Sequence, residues 1–433
     1  MPAVTNLGDN RGVVADAIAE SALRKVRWRL IPFLFVLYVV AYLDRVNVGF
    51  AAIDMNRDLG FTAAVYGLGS GIFFVSYTLF EVPSNLILAR VGVRVWIARI
   101  MLTWGVLATA MLFVNTPTSF YVLRFLLGAA EAGFFPGIIL YLTYWFPARE
   151  RARAIGLFMT ATAMAGVIGA PISSALLQMD GLSGLYGWQW LFLIEGLPAV
   201  LLAPVVLAYM TDRPSDATWL TAPEREWLTR EMAAEHAETT HAHVTFRAAL
   251  TSPRLWLVSL AYFCIVIAFY GVSFWLPQIV QGSSGYGSAF VVLLSAIPYV
   301  AATIGLVVVG AHSDRTGERQ WHVAVPCVIG ALGFVLTVLA PATPAFALTT
   351  LSVAAFGIWG TLGPFWTLPT AFLRGTAAAG GIAVVNSVGN LGGFVGPFLV
   401  GWIRDASGDF SAGLLMLAAI LMIGAVITVS LRR

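Results

Sequence analysis

The sequence predicts an all-α integral membrane protein, with twelve transmembrane helices arranged as two pseudo-symmetric six-helix bundles. Three observations lead there. Hydrophobic residues make up 59% of the chain and charged ones 11%, against about 25% charged in soluble domains, and the mean hydropathy is +0.84. Apolar stretches of the ~20 residues that a spanning helix needs recur near 30–51, 63–89, 95–115, 118–146, 154–178, 187–211, 254–281, 288–311, 322–341, 345–372, 378–403 and 408–431. One long polar stretch, 212–253, divides these runs into two sets of six. The alternating segments of ~10 residues that mark a membrane β-barrel are absent from the sequence.

The chain therefore reads as a bundle over 1–211 with a polar tail, a linker over 212–253 and a second bundle over 254–433. Arg24, Lys25, Arg27 and Arg29 precede the first run, which is too long for a signal peptide and lacks a small-residue cleavage site, so it is expected to be a retained span. Basic residues favour the cytoplasmic side. They cluster in the tail (with Arg11), after span two (Arg90, Arg94, Arg99), after span four (Arg149, Arg151, Arg153), in later turns (Arg315, Arg319, Arg374) and at Arg432–Arg433. The opposite turns carry only Arg57 and Arg404, so both termini are expected in the cytoplasm. The net charge of +3 follows from this bias and gives no reason to expect nucleic acid as a partner.

Within the linker, Thr221-Ala-Pro-Glu224 is a capping-box pattern and predicts a short amphipathic helix through about Glu238, along the cytoplasmic face. His236, His241 and His243 lack cysteine or carboxylate partners at metal-ligand spacing, so no metal site is expected. Cys264 and Cys327 fall inside apolar runs and read as packing residues rather than a disulfide pair.

The halves repeat. Arg90, Gly92 and Arg94 correspond to Arg315, Gly317 and Arg319 at a constant offset of 225 (315 − 90), and Gly-Ala-Pro at 169–171 is echoed by Gly-Pro at 396–397. Duplicated six-span bundles point to alternating access, with a site between the halves near the midplane.

Ionisable residues deep in a bilayer are expensive, about 2.5–3.5 kcal/mol each on insertion scales, and usually face a polar path. Here they are Asp44, Arg45, Glu81, Arg124, Glu131 and Glu195, all in the first half. The offset of 225 places Phe269 and Tyr270 opposite Asp44 and Arg45. Arg45 reads as a guanidinium for a substrate carboxylate; the alternative is a structural ion pair. Arg124 and Glu131, seven residues and two turns apart, share a helix face, so Glu131 is a candidate proton carrier tuned by Arg124, or else half of a static clasp. Asp44 is the second candidate proton carrier. Glu81 and Glu195 stand beside prolines and read as structural. Tyr42, Tyr77, Tyr270, Trp366, Asn386 and Asn390 are further cavity candidates, the two asparagines sharing a face at i and i+4. The glycines of spans four, five and eleven read as sites of close helix approach.

GAHSDRTGER (Gly310–Arg319) matches the loop signature of the major facilitator superfamily, which the twelve spans in two repeats also resemble across essentially the whole chain. YLDRVNVGFA, FEVPSNLIL, RFLLGAAEAGFFPG and FLIEGLPA resemble the anion:cation symporter family, proton-coupled carriers of tartrate, phthalate, hydroxyphenylacetate and sugar acids. That resemblance implies the major facilitator fold and symport of an organic carboxylate with protons by alternating access. It implies that Arg45 contacts the carboxylate, that Asp44 and Glu131 couple protons and that Arg124 tunes Glu131. The first loop departs from the signature, with Asn85 for Gly and Ala89 for Asp; the gate is expected at Arg90 and at Asp314–Arg315. A monomer in a bacterial-type cytoplasmic (inner) membrane is implied, with a small organic anion, protons and the lipid bilayer as partners. Nothing in the sequence resembles a nucleotide loop, metal cluster or nucleophile–base pair, so neither an enzyme nor a cofactor is expected. The competing reading is a proton-driven exporter, which the Gly-Pro features of spans five and eleven would also fit.

Overall fold

The computed structural model describes residues 7–240, 251–339, 341, 343–370 and 376–431. His241, His243, Arg374 and Arg432–Arg433 lie outside the described residues, as do the side chains of Arg11 and His236. The described chain is helical, and 12 helices are long and apolar enough to cross a membrane: Asp16–Leu59, Ala63–Val91, Val93–Phe113, Pro117–Trp145, Ala148–Leu177, Gly187–Tyr209, Pro253–Gly282, Ser288–Thr316, Trp321–Leu339, Pro344–Pro369, Gly380–Ser407 and Ser411–Ser430. They are spans one to twelve below. Helices suit this setting because they satisfy their own backbone groups without water.

Local chemistry marks the span ends. Span two starts at Thr62, whose hydroxyl accepts from Val65 N, and span four at Thr116, which shares a capping box with Ser119 ahead of Pro117. Pro253 and Pro344 occupy first turns, where a missing N–H is harmless. Span eight closes on Gly317 at φ +70°, a left-handed cap that favours glycine.

Leu7–Leu59 is one helix, so the polar tail runs without a break into span one. Its Ala, Glu, Lys and Arg are good helix formers, and its side chains are anchored: Lys25 Nζ lies 2.8 Å from Glu224 and Arg27 lies 2.6 Å from Glu150. The linker helix spans Ala222–Thr240, and Glu224 accepts from Thr221 N at 2.9 Å, closing the capping loop that the sequence pattern predicts. Leu228 is fully buried, and Glu235 pairs with Arg151 at 2.5 Å. The linker helix is thus fastened to the first six spans.

Burial alone would raise the Glu224 carboxyl, but Lys25, the Thr221 N–H and the Ser21 hydroxyl overcome it and hold the group down at about 2. A depressed carboxylate stabilises above its ordinary pKa and loses that contribution as pH falls toward the folded value. Glu224→Gln at pH 7 should therefore loosen the linker helix, and acid below about pH 4.5 should do the same to the parent protein. Lys25 is 40% exposed, so screening limits the effect to ~1 kcal/mol. Hydrogen exchange should read this as about five-fold faster exchange over the linker helix.

Between the halves, span two packs on eleven, five on eight and one on seven. Glycines make the close approaches. A methyl at Gly67 would sit 2.5 Å from Pro397 O, one at Gly71 2.8 Å from Phe394 O and one at Gly401 2.3 Å from Ala63 O. The side where span one begins is called the near side, and its opposite the far side. The far side is closed by more than apolar contact: Asp405, at the end of span eleven, accepts from Ala63 N (3.0 Å) and Ala64 N (2.7 Å) at the start of span two. Behind it, Tyr66 donates to Phe274 O at 2.9 Å. A cavity of ≈ 600 Å³, lined by Asn56, Arg57, Gln278, Arg404 and Asp405 among others, forms the far-side mouth. Cys264 and Cys327 are buried and free.

Candidate functional site

Adjacent helix positions point about 100° apart, and span one uses that difference. Arg45 turns to the seam between the halves, whereas Asp44 turns into the first six spans, where Trp104 Nε1 donates to its Oδ2 at 2.7 Å. Arg45 is buried. One terminal nitrogen is ion-paired with Glu131 Oε1, and the other donates to Tyr270 OH at 3.1 Å. The rings of Phe73 and Tyr77 lie 5.4 and 5.2 Å from its guanidinium carbon, within cation–π range. Arg45 and Tyr270 are repeat-related, 225 residues apart, and touch each other. Two equivalent positions can meet only where the repeat axis passes between them, so this contact marks the centre of the seam.

Span four is broken beside Glu131. Its first segment ends at Glu131, Ala132 is extended in ψ (130°), and Gly133 takes φ +90° before the second segment begins at Phe134. Only glycine adopts that φ freely, and a methyl there would also sit 2.3 Å from Ser84 Oγ. The sequence predicts one continuous span; the break leaves Glu131 at a helix C-terminus. The partial negative charge there opposes a carboxylate, and Arg45 supplies the compensation. Discontinuous helices at the midplane are a recurring device for binding sites in carriers.

The pairing of Arg124 with Glu131 expected from spacing is not what the structure shows. Arg124 donates to Gly69 O (3.3 Å) and Ser70 O (3.1 Å) on span two, with its guanidinium 4.9 Å from the Phe73 ring centre, while Arg45 forms the ion pair. Seven residues of rise separate Arg124 from Glu131 by about 10 Å, whereas Arg45 stands level with Glu131 across the bundle.

The other candidates fall into three places. Tyr42 and Tyr77 are buried with Arg45, and Tyr42 meets the Phe269 ring edge-on at 6.3 Å, its hydroxyl lacking a partner among the described residues. Asn386, Asn390 and Trp366 lie on the near side of that centre. Asn386 Nδ2 donates to Glu81 Oε1 at 2.8 Å, Asn390 faces the same carboxylate, and Trp366 packs edge-on against Tyr262 at 4.9 Å. The gate candidates stand apart at the near surface. Asp314, 74% exposed, accepts from Arg319 within its own loop at 2.6 Å, and Arg90 and Arg315 are exposed. The Asp314–Arg315 gate therefore does not bridge the halves in this conformation. The described bonds that do bridge them run from Asp405 through Tyr66 and Arg45 to Glu81.

Glu195 accepts from Ser173 Oγ at 2.6 Å inside the first six spans, consistent with a structural role. Sequence reasoning set Glu81 aside as structural too, yet it faces the other half. Its i+4 spacing from Tyr77 was the available signal. Tyr38, one turn before Tyr42, and Tyr262 were also missed; both are buried.

A family model described as Major Facilitator Superfamily matches residues 34–397. The chain is 51% identical over 423 residues, 98% of its length and 94% of the relative's, to an Agrobacterium vitis protein named "Putative tartrate transporter". It is 42% identical to the "Quinolone resistance transporter" of Acinetobacter baumannii, covering 94% of each chain. Among solved structures, an inward-facing bacterial homologue of the lysosomal transporter Spinster superposes with a TM-score of 0.76 at 18% identity, over 94% of this chain and 97% of that one. With twelve spans, a repeat axis running past Arg45 and a family match over most of its length, the chain is a member of the major facilitator superfamily.

Proposed function

We propose that this secondary transporter imports an organic carboxylate together with protons, and that Arg45 is the group that binds the carboxylate. The observation that carries the reading is the buried Arg45–Glu131 pair on the repeat axis, bonded to Tyr270 of the opposite half. A substrate carboxylate and Glu131 compete for one guanidinium. A proton on Glu131 releases Arg45 to the substrate, and loss of that proton returns Arg45 to Glu131 and expels the substrate. Proton binding and substrate binding thereby favour each other. Tyr270 reports the occupancy of Arg45 to the second half, which lets loading bias the movement of the bundles. Asp44, bonded to Trp104 away from the seam, serves as a second proton site, and Arg124 ties spans two and four together two turns from Glu131.

The name of the 51% identical relative favours tartrate or a related hydroxy acid as the first substrate to try. In this reading the carrier works as a monomer in a bacterial cytoplasmic membrane, with its basic near-side turns toward the cytoplasm. The near-side loop of Asp314 and Arg315 is assigned the inner gate, engaging Arg90 only when that side closes. One observation favours a second reading, proton-driven export: the 42% identical relative is named for quinolone resistance.

Purified protein in liposomes tests both. With labelled tartrate outside and the exterior acid, import predicts uptake several-fold above that without a pH gradient, abolished by a protonophore. Export predicts that the inward proton gradient drives substrate out of preloaded liposomes.

A further inference from the structure

Glu81 is a carboxylate held by the opposite half of the protein. Its Oε1 accepts from Asn386 Nδ2 at 2.8 Å, Asn390 faces it from one turn along span eleven, and its Oε2 is buried with no hydrogen-bond partner among the described residues. Span two also carries Tyr77, one turn away, whose ring lies 5.2 Å from the Arg45 guanidinium carbon. Two carboxylate contacts thus flank the seam. Within the first half Glu131 neutralises Arg45; across the halves Glu81 accepts from the amide of Asn386.

We propose that Glu81 occupies, in the unloaded carrier, the place of a second substrate carboxylate, so that the site takes dicarboxylates: one carboxylate at Arg45 and the other at Asn386 and Asn390. This rests on the reading of Arg45 as the first carboxylate site. An amide N–H donates to a neutral or an anionic oxygen in the same geometry, and its present acceptor is a carboxylate. A dianion arriving beside ionised Glu81 meets a like charge in a dry setting, where repulsion is least screened. Glu81 therefore leaves the amide after taking one proton, and the substrate carboxylate accepts the freed N–H. A monocarboxylate needs only Arg45 and leaves Glu81 in place.

The charged and titratable groups around Glu81 are few. Span one contributes Arg45, span two Tyr77 and span seven Tyr262. On spans three and four, Arg99 stacks on Trp96, Tyr141 donates to Thr211 O, Glu131 is paired with Arg45, and Arg124 meets span two at Gly69 and Ser70, about three turns from Glu81. Arg404 and Asp405 of span eleven stand at its far end. No ion-pair partner of Glu81 is found among the described residues.

Calorimetric binding of tartrate and of glycerate, which lacks the second carboxylate, at several pH values tests the proposal. In the parent protein, tartrate affinity should fall with rising pH by about tenfold per unit more steeply than glycerate affinity, the linkage expected for one additional proton. Glu81→Gln should remove that difference and leave the glycerate slope unchanged. An unchanged difference in Glu81→Gln overturns the proposal. If Glu81→Gln does not fold, Asn386→Ser serves instead: it should lose the preference for tartrate over glycerate, and a retained preference is equally fatal. Failure of both ligands to bind, or binding indifferent to Arg45→Lys, sinks the reading of Arg45 as well; Arg45-dependent binding with equal slopes sinks only the role of Glu81.

Discussion

Liposomes carrying Glu131→Gln should exchange labelled tartrate across the membrane at a rate within a few-fold of the parent protein, yet fail to concentrate it when the exterior is made acid. Gln keeps the shape of the carboxyl group and its place at the end of the broken span, but it neither ionises nor carries a proton. Arg45 is then permanently released to the substrate, so exchange continues, while the step that returns the empty carrier with a discharged proton site is lost. Because Glu131 is fully enclosed and paired with Arg45, no neighbouring water-exposed acid can substitute. Accumulation by Glu131→Gln under an imposed pH gradient would show that coupling resides elsewhere, with Asp44 the first place to look.

Arg45→Ala should abolish uptake and binding together. Removing one partner of a buried, hydrogen-bonded charge pair costs about 2–5 kcal/mol, so carboxylate affinity should fall by at least about thirty-fold, the factor equal to ~2 kcal/mol. The same change leaves Glu131 without its cation, and breaking a buried pair destabilises by roughly 3–5 kcal/mol. A simple loss of activity would thus mix two effects, and a second variant separates them. Arg45→Ala with Glu131→Gln removes both charges, so its thermal stability should recover toward that of the parent while binding stays lost. Recovery of binding alongside stability would reduce Arg45 to a structural role.

The fold was legible because the bilayer imposes a coarse rule. Each span needs ~20 apolar residues, and the described helices follow the runs in the sequence closely. The helical tail was not legible, because polar composition is silent about helix continuity: Lys25 and Arg27 are ordered by Glu224 and Glu150, more than a hundred residues away. The break after Glu131 was hidden for another reason. Ala132-Gly133 reads as small-residue packing in any membrane helix, and only the backbone shows Gly133 at φ +90°. Within the site, the repeat offset placed Tyr270 opposite Arg45 before any coordinates, and the hydrogen bond between them lies on that offset. Spacing along one helix misassigned the partner of Glu131, because the pair forms across helices. Glu81 was set aside since its partner, Asn386, is 305 residues distant.

The clasp at Asp405 bears on how freely the carrier can cycle. Ala63 and Ala64 belong to the first turn of span two, where backbone N–H groups have no partner within the helix. Asp405 now fills that need. When the far side parts, water entering the mouth beside Arg57 and Arg404 hydrates the freed donors and the freed carboxylate alike. Neither partner is stranded in hydrocarbon, so undoing the clasp itself costs little. A latch of this kind holds by geometry rather than by depth, leaving the small ligand at the centre able to tip the balance between them.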